Sequence, residues 1–354
     1  MKKNNKTIIF VLLVTIVALG AFIFVNKNKG TNNSSANLIT EKSGFMLGTL
    51  VKIKLFEPQP EELFEEAFNI IEDIENKMSI NIKESEVMEI NKNAGKAYVK
   101  VSPETYFVIK KGKYYSEISN GKFDISIGPL VKLWGIGQEG ATVPPQKEID
   151  EAISMIGYKD ILLNESEQSV MLANEGMIID LGAIAKGYTA DVLAEFLRSK
   201  NINSGIIDLG GNVLALGAKD GKYPWSIGVQ NPFDQRNKSI GVLKVIDKTI
   251  VASGVYERYF FESGKRYHHI LDPFTGYPVE NELMSVTIVA DTSIDADGLS
   301  TTVFALGIEN GMKLIEGLNG IDAIFVDLDK NVYVTSGLKD TFTIDNDEFK
   351  EKSF

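Results

Sequence analysis

The residues able to do chemistry fall in three places. The chain has no cysteine and two histidines, His268 and His269, set side by side just before an Asp272-Pro273 turn. Imidazole titrates near neutrality, so histidine-based proton transfer is confined to that point. Asp297 and Thr301 are four residues apart, hence one turn apart on one helical face. A carboxylate and a hydroxyl so placed can be oxygen ligands for a hard cation such as Mg2+, or Asp295 and Asp297 can simply cap the helix; the spacing leaves both open. The third place is Met177 to Leu197, MIIDLGAIAKGYTADVLAEFL, where an apolar run ends in Asp180 and a small-residue turn of Gly182, Ala183, Ala185 and Gly187 leads into apolar residues at helical spacing. Read as strand, turn and helix, it lets backbone amides and a strand-end carboxylate approach a nucleotide closely. Plain packing of a βα unit gives the same pattern, and the stretch matches neither the P-loop nor GxGxxG.

Composition limits what these groups can be for. A chain of 354 residues, 44% hydrophobic and 24% charged, builds a sizeable core. Its net charge of −11 argues against a nucleic-acid partner, and an anionic ligand would need local Lys or Arg, helix N-termini or a bound cation. Without cysteine there are no disulfides, thiolate metal sites or cysteine nucleophiles.

The elements that must position the three places read as a mixed α+β body. Residues 1–29 carry Lys2, Lys3 and Lys6 ahead of an uncharged apolar run from Ile8 to Val25, read as an N-terminal transmembrane anchor, with a cleaved signal as the other reading. Either places the body outside the cytoplasm. Residues 30–37 are a polar linker, and the folded domain spans 38–354. Alternation of Val51, Ile53 and Leu55 with lysines predicts a strand, and helices are expected over Glu61 to Met78, Ser85 to Asn91 and Pro103 to Ser119. Gly121 to Gly137 keeps neither period and reads as a buried loop-rich segment, with Asp124 and Ser126 its short polar side chains. Gly205 to Gly217 repeats the word IIDLG of Ile178 to Gly182, which suggests two neighbouring strands presenting the same turn at one rim. Tyr256 to Phe261 and Arg266 to Leu271 read as a hairpin across Glu262 to Lys265, with His268 and His269 on opposite faces of its second strand.

In this order, several motifs resemble the ApbE family, the FAD:protein FMN transferases. They are Met46-Leu47-Gly48-Thr49, Phe123 to Leu130 with Trp134-Gly135, Asp180 to Tyr188, Leu209-Gly210-Gly211, Ser253-Gly254, His269 to Pro273 with Thr275-Gly276, and Asp297 to Thr301. The resemblance covers about Phe45 to Gly307. It implies an ApbE-like body of mixed sheets flanked by helices, in which FAD is split at its pyrophosphate and FMN passes to a Ser or Thr hydroxyl of an acceptor protein, leaving AMP. It also implies Mg2+ contact by Asp297, Thr301 and the carbonyl of Ala183, with Ser300 close by. Flavin-nucleotide contacts are implied for Met46, Phe123, Asp124, Asp180, Lys186, Ile270 and Leu271, and Asn81 stands where relatives often carry a stacking aromatic residue.

A hydroxyl nucleophile profits from a base, for which His269 is the first candidate, on its ordinary pKa near 6.5, and Asp180 the second. The resulting expectation is a membrane-anchored, extracytoplasmic enzyme acting on exported or membrane redox proteins. A metal-dependent FAD pyrophosphatase and a non-catalytic flavin-binding receptor are the alternatives.

Overall fold

A computed structural model describes residues 39–234 and 238–354. The terminal lysines, the apolar run and the linker lie outside the described residues, and no helix within them is long and apolar enough to cross a membrane. In chain order the elements are β1 (Thr40–Met46), β2 (Thr49–Leu55), α1 (Glu61–Met78), α2 (Glu86–Lys92), β3 (Val99–Lys100), α3 (Pro103–Ile118), α4 (Gly128–Trp134), α5 (Gln146–Ile153), β4 (Ile161–Asn164), β5 (Ser169–Leu172), α6 (Ala185–Ser199), β6 (Ser204–Leu209), β7 (Asn212–Gly217), β8 (Trp225–Gln230), β9 (Ser239–Val245), β10 (Lys248–Gly254), β11 (Tyr259–Glu262), β12 (Lys265–His268), β13 (Leu283–Ala290), α7 (Ser293–Glu316), β14 (Asp322–Asp327), β15 (Asn331–Val334), β16 (Phe342–Ile344) and β17 (Lys350–Glu351).

Nine of these strands form one sheet in the order β1-β2-β6-β7-β10-β13-β14-β15-β17. Strand alternation sends Val251, Val286, Ile288, Ala323 and Phe325 into the core shared with α7. The intervening Ile250, Val289, Ile324 and Val326 pack on the opposite face against Trp225, Ile240 and Leu243 of β8 and β9. Covered on both sides, β13 is buried at all eight positions. At its β1 edge the sheet begins with a hairpin in which Met46 faces Thr49. Its two-residue turn puts Leu47 at φ +53° and Gly48 at φ +65°, the combination that matches strand twist. α1 lays Leu63, Phe64, Ala67, Ile71 and Ile74 on one stripe, with Glu61 and Glu62 at its positive end.

α6 and α7 touch closely and determine the site. Asp191 of α6 accepts the Ser293 and Ile294 N–H groups at 2.6 and 2.8 Å, capping α7 from a neighbouring helix. Gly187 provides the clearance for that contact. A Cβ there would sit 2.7 Å from both the Ile294 Cα and the Asp297 Cβ, and closer still to the Ser293 carbonyl oxygen. α7 itself breaks at Gly307 (φ 77°, ψ 179°), where Glu282 accepts the Ile308 N–H at 2.7 Å and restarts the helix.

Several sequence expectations are corrected. The segment from Met177 to Asp180 is extended but is not a strand of the sheet, making one isolated parallel bridge, Ile178 to Ile127. Its other backbone groups are taken by a side chain and a loop, described below, so only the second IIDLG copy is a sheet strand. Gly121 to Gly137 contains a two-turn helix, α4, begun at Gly128-Pro129 and stopped by Gly135 at φ 56°. The histidine-bearing hairpin is shorter than expected, turning at Ser263-Gly264 with Glu262 opposite Lys265, and its second strand ends at His268.

Candidate active site

The Asp180 turn is held rigid before it meets any ligand. The Asn91 amide brackets Ile179, donating to its carbonyl at 3.0 Å and accepting its N–H at 2.8 Å. The Asp180 N–H donates to Ile125 O at 2.8 Å, and the Gly128 N–H to Ile178 O at 3.1 Å. Asp180 Oδ1 accepts the Gly182 N–H at 2.8 Å, and Lys186 Nζ donates to Gly182 O at 3.0 Å. The turn is therefore closed by its own carboxylate and lysine.

Next to it stands Asp297, a carboxylate only 4% exposed. Its Oδ2 accepts the Gly187 N–H at 2.9 Å, and its Oδ1 lies 3.8 Å from Lys186 Nζ. Gly187 is the third residue of α6, so its N–H is one of the donors at a helix start that have no partner within the helix. Asp297 supplies the missing acceptor from α7 and so ties that helix to the turn before α6. Ser253 at the end of β10 donates to Ser300 Oγ at 2.8 Å and lies 3.4 Å from Thr301 Oγ1, while Ser300 Oγ donates to Asp297 O at 2.8 Å. The Asp297 carboxylate thus stands one helical turn from a cluster of three hydroxyls, those of Ser253, Ser300 and Thr301. Among the described residues no group of three His, Cys, Asp or Glu side chains could hold a metal ion. The donor set here is of another kind, the oxygen-only type that suits Mg2+, which keeps several waters and takes few protein ligands.

The two histidines play opposite parts. His268 is buried, its Nδ1 accepting the Ile270 N–H at 3.3 Å and its Nε2 donating to Val279 O at 2.9 Å, so both nitrogens are used in packing. His269 extends the hairpin ladder by one residue, its N–H donating to Arg258 O at 3.1 Å. Its Nδ1 is 3.3 Å from the same carbonyl, which can only accept, so Nδ1 carries the proton and the Nε2 lone pair is left available. Burial, with His268 and Arg258 adding to it, pushes the His269 pKa down to about 4. The ordinary value assumed from sequence therefore does not apply. Burial pushes Asp180 the other way, raising its pKa against the pull of the Gly182 N–H and of Lys186, Arg258 and Lys132.

Of the residues singled out in the sequence, the structure draws together Asp180, Ala183, Lys186, His269, Asp297, Ser300 and Thr301. Met46 ends β1, and the turn that follows it approaches Arg258 at Gly48. Phe123 is buried with its ring edge-on to Tyr115, and the Asp124 carboxylate is occupied by Ser126 and the Tyr158 N–H. Ile270 and Leu271 sit in two different core clusters, and Asn81 is exposed between α1 and α2. A cavity of about 690 Å3 lined by Ile118, Lys122, Phe274 and Lys313 holds none of the site groups. Sequence reasoning missed Asn91, Arg258 and any role for Ser253. Only Ser253, next to Gly254 in a quoted motif, left a local signal.

A buried carboxylate beside a cluster of hydroxyls, two basic side chains and an imidazole with a free lone pair have the chemistry to suit an anionic, phosphate-bearing ligand. The chain belongs to the ApbE family, whose model matches residues 47–325. It is 39% identical over 302 residues to an FAD:protein FMN transferase of Klebsiella pneumoniae (strain 342), covering 85% of this chain and 93% of that protein. To the FAD:protein FMN transferase of Treponema pallidum (strain Nichols) it is 35% identical, covering 84% and 87%. Its fold matches the crystal structure of the ApbE protein of Thermotoga maritima with TM-score 0.78 at 35% identity, covering 85% of this chain and 98% of that one. The flavin transferase ApbE of Vibrio cholerae gives 0.74 at 30%, covering 86% and 99%.

Proposed function

We propose how this FAD:protein FMN transferase divides its work. Asp297, Thr301 and the Ala183 carbonyl, with Ser300 behind them, hold Mg2+; Asp180 and Lys186 flank the flavin dinucleotide; His269 receives the proton of the acceptor hydroxyl. The observation that carries this reading is the Gly187 N–H bonded to Asp297 at 2.9 Å, which fixes a buried carboxylate of α7 against the start of α6, four residues after Ala183. When bound, the cation offsets the diphosphate charge and favours departure of AMP. Lys186, fixed to Gly182 O, adds positive potential from the protein side. The acceptor oxygen bonds to the phosphorus of the FMN half, the bridging P–O bond to AMP breaks, and the hydroxyl proton passes to His269 Nε2. Asp180, with its raised pKa, is the second proton acceptor within this cluster. The uncharged run from Ile8 to Val25 between lysines supports a membrane anchor with the catalytic body outside the cytoplasm, facing exported or membrane redox proteins.

The test is incubation with FAD, Mg2+ and an exported acceptor protein. A protein band whose flavin fluorescence survives denaturation is expected, and it should vanish on chelation. FAD split to free FMN and AMP without labelled protein would mean a pyrophosphatase; FAD bound intact would mean a receptor. Labelling undiminished by chelator would remove the metal assignment.

The pH dependence follows from His269. With its pKa held at about 4, the imidazole is neutral and able to accept a proton throughout pH 5.5 to 8. The expected rate profile shows no His-type acid limb near 6.5, and His269→Ala slows transfer while FAD binding is kept. A break at 6.5 that disappears in His269→Ala would contradict the depressed pKa. Turnover equal to the parent enzyme would remove His269 as the base.

A further inference from the structure

Arg258 is an exposed arginine that makes no ion pair among the described residues, in a chain with 48 acidic and 37 basic residues. Of the other basic side chains whose charge acts on Asp180, Lys186 is tied to Gly182 O and Asp297, while Lys132 lies on α4. The position of Arg258 is fixed all the same. The backbone pairs with His269 across the hairpin, so the two side chains lie on the same face. The stem runs against Gly137, whose Cβ position is 3.3 Å from Arg258 Cδ, and the guanidinium reaches the Leu47-Gly48 turn, 3.9 Å from the Cβ position of Gly48. Both glycines have positive φ, at +91° and +65°, so the two turns that frame the arginine are kept bare by backbone geometry. Charge supplies the reason for a free guanidinium here. Asp180 and Asp297 repel a dianionic diphosphate, and Arg258, with Lys186 and Lys132, supplies positive charge from the protein itself.

We propose that the Arg258 guanidinium binds the diphosphate of FAD. This rests on the transferase reading of the same pocket. A planar fork with five donors suits two phosphate oxygens at once, which a lysine ammonium cannot match. Because Arg258 holds His269 through its backbone, replacing the side chain leaves that contact in place.

The experiment compares the full chain with Arg258→Ala, Arg258→Lys and Arg258→Met, the last keeping the stem against Gly137. Dissociation constants are measured for FAD, ADP and adenosine as a function of salt, with melting temperature as the control for folding. Arg258→Ala and Arg258→Met should bind FAD and ADP at least about tenfold more weakly, with unchanged adenosine binding and a shallower salt dependence, and Arg258→Lys should fall between. Parental FAD and ADP affinity in Arg258→Ala would overturn the proposal, as would a variant altered only in its KM for the acceptor protein, which would turn the guanidinium towards the acceptor. Absence of FAD binding by the parent chain would overturn the transferase reading as well, an outcome distinct from loss confined to the variants.

Discussion

Asp297→Asn is expected to fold normally and to transfer no measurable flavin. The substitution separates two duties that Asp297→Ala would confound. The buried carboxylate accepts the Gly187 N–H, and an asparagine carbonyl oxygen can keep that bond, whereas alanine would leave a buried donor unsatisfied at a cost of about 1–3 kcal/mol. What asparagine removes is the negative charge, the one feature of the oxygen cluster able to hold a divalent cation. Loss of the cation should lower the rate by on the order of 10^3-fold or more, since charge stabilisation in phosphoryl transfer depends on it. The check is gel fluorescence of the acceptor alongside thermal melting. A variant that melts like the parent and still labels the acceptor at a comparable rate would remove Asp297 from the metal site.

Gly187→Ala should be the most destabilising small substitution near the site. In an ordinary helix, Gly to Ala is stabilising by up to about 1 kcal/mol. Here the added Cβ would lie 2.7 Å from the Ile294 Cα and the Asp297 Cβ and nearer still to the Ser293 carbonyl, against backbone that Asp191 pins in place. Parting α6 from α7 would break the Gly187–Asp297 bond, so the expected result is a loss of about 3 kcal/mol or more together with the transfer activity. A melting temperature at or above that of the parent would mean that helix propensity outweighs the steric term and that the contact is slacker than its geometry states.

How much of this was legible in the sequence depended on whether the cause was local. Helix α1 could be read because its stripe and its acidic start are written in consecutive residues, and the pairing of Asp297 with Thr301 could be read because helical period places them. Helix α4 was hidden since its two turns are too short for periodicity to accumulate between glycines. The Asp180 segment was misread as a strand because its hydrogen-bond partners are an asparagine 88 residues upstream and a loop, and neither leaves a mark on the local pattern. His269 was identified as a residue, but its basicity was not: a shift to about 4 comes from burial and from Arg258 across the hairpin. The resemblance implied nucleotide contacts for Phe123, Asp124 and Leu271; that Asp124 also accepts the Tyr158 N–H, from 34 residues further on, left no mark on the local pattern.

The direction of β1 has a mechanical consequence. This strand enters the sheet at Thr40 and delivers the chain to Met46 and the turn that approaches Arg258, a run of about 20 Å at roughly 3.3 Å per residue. Whatever precedes residue 39 therefore takes hold of the domain at the end remote from its catalytic groups. A load applied at Thr40 would run along β1 and be shared with β2, from Leu55 to Thr49, before it reached that turn.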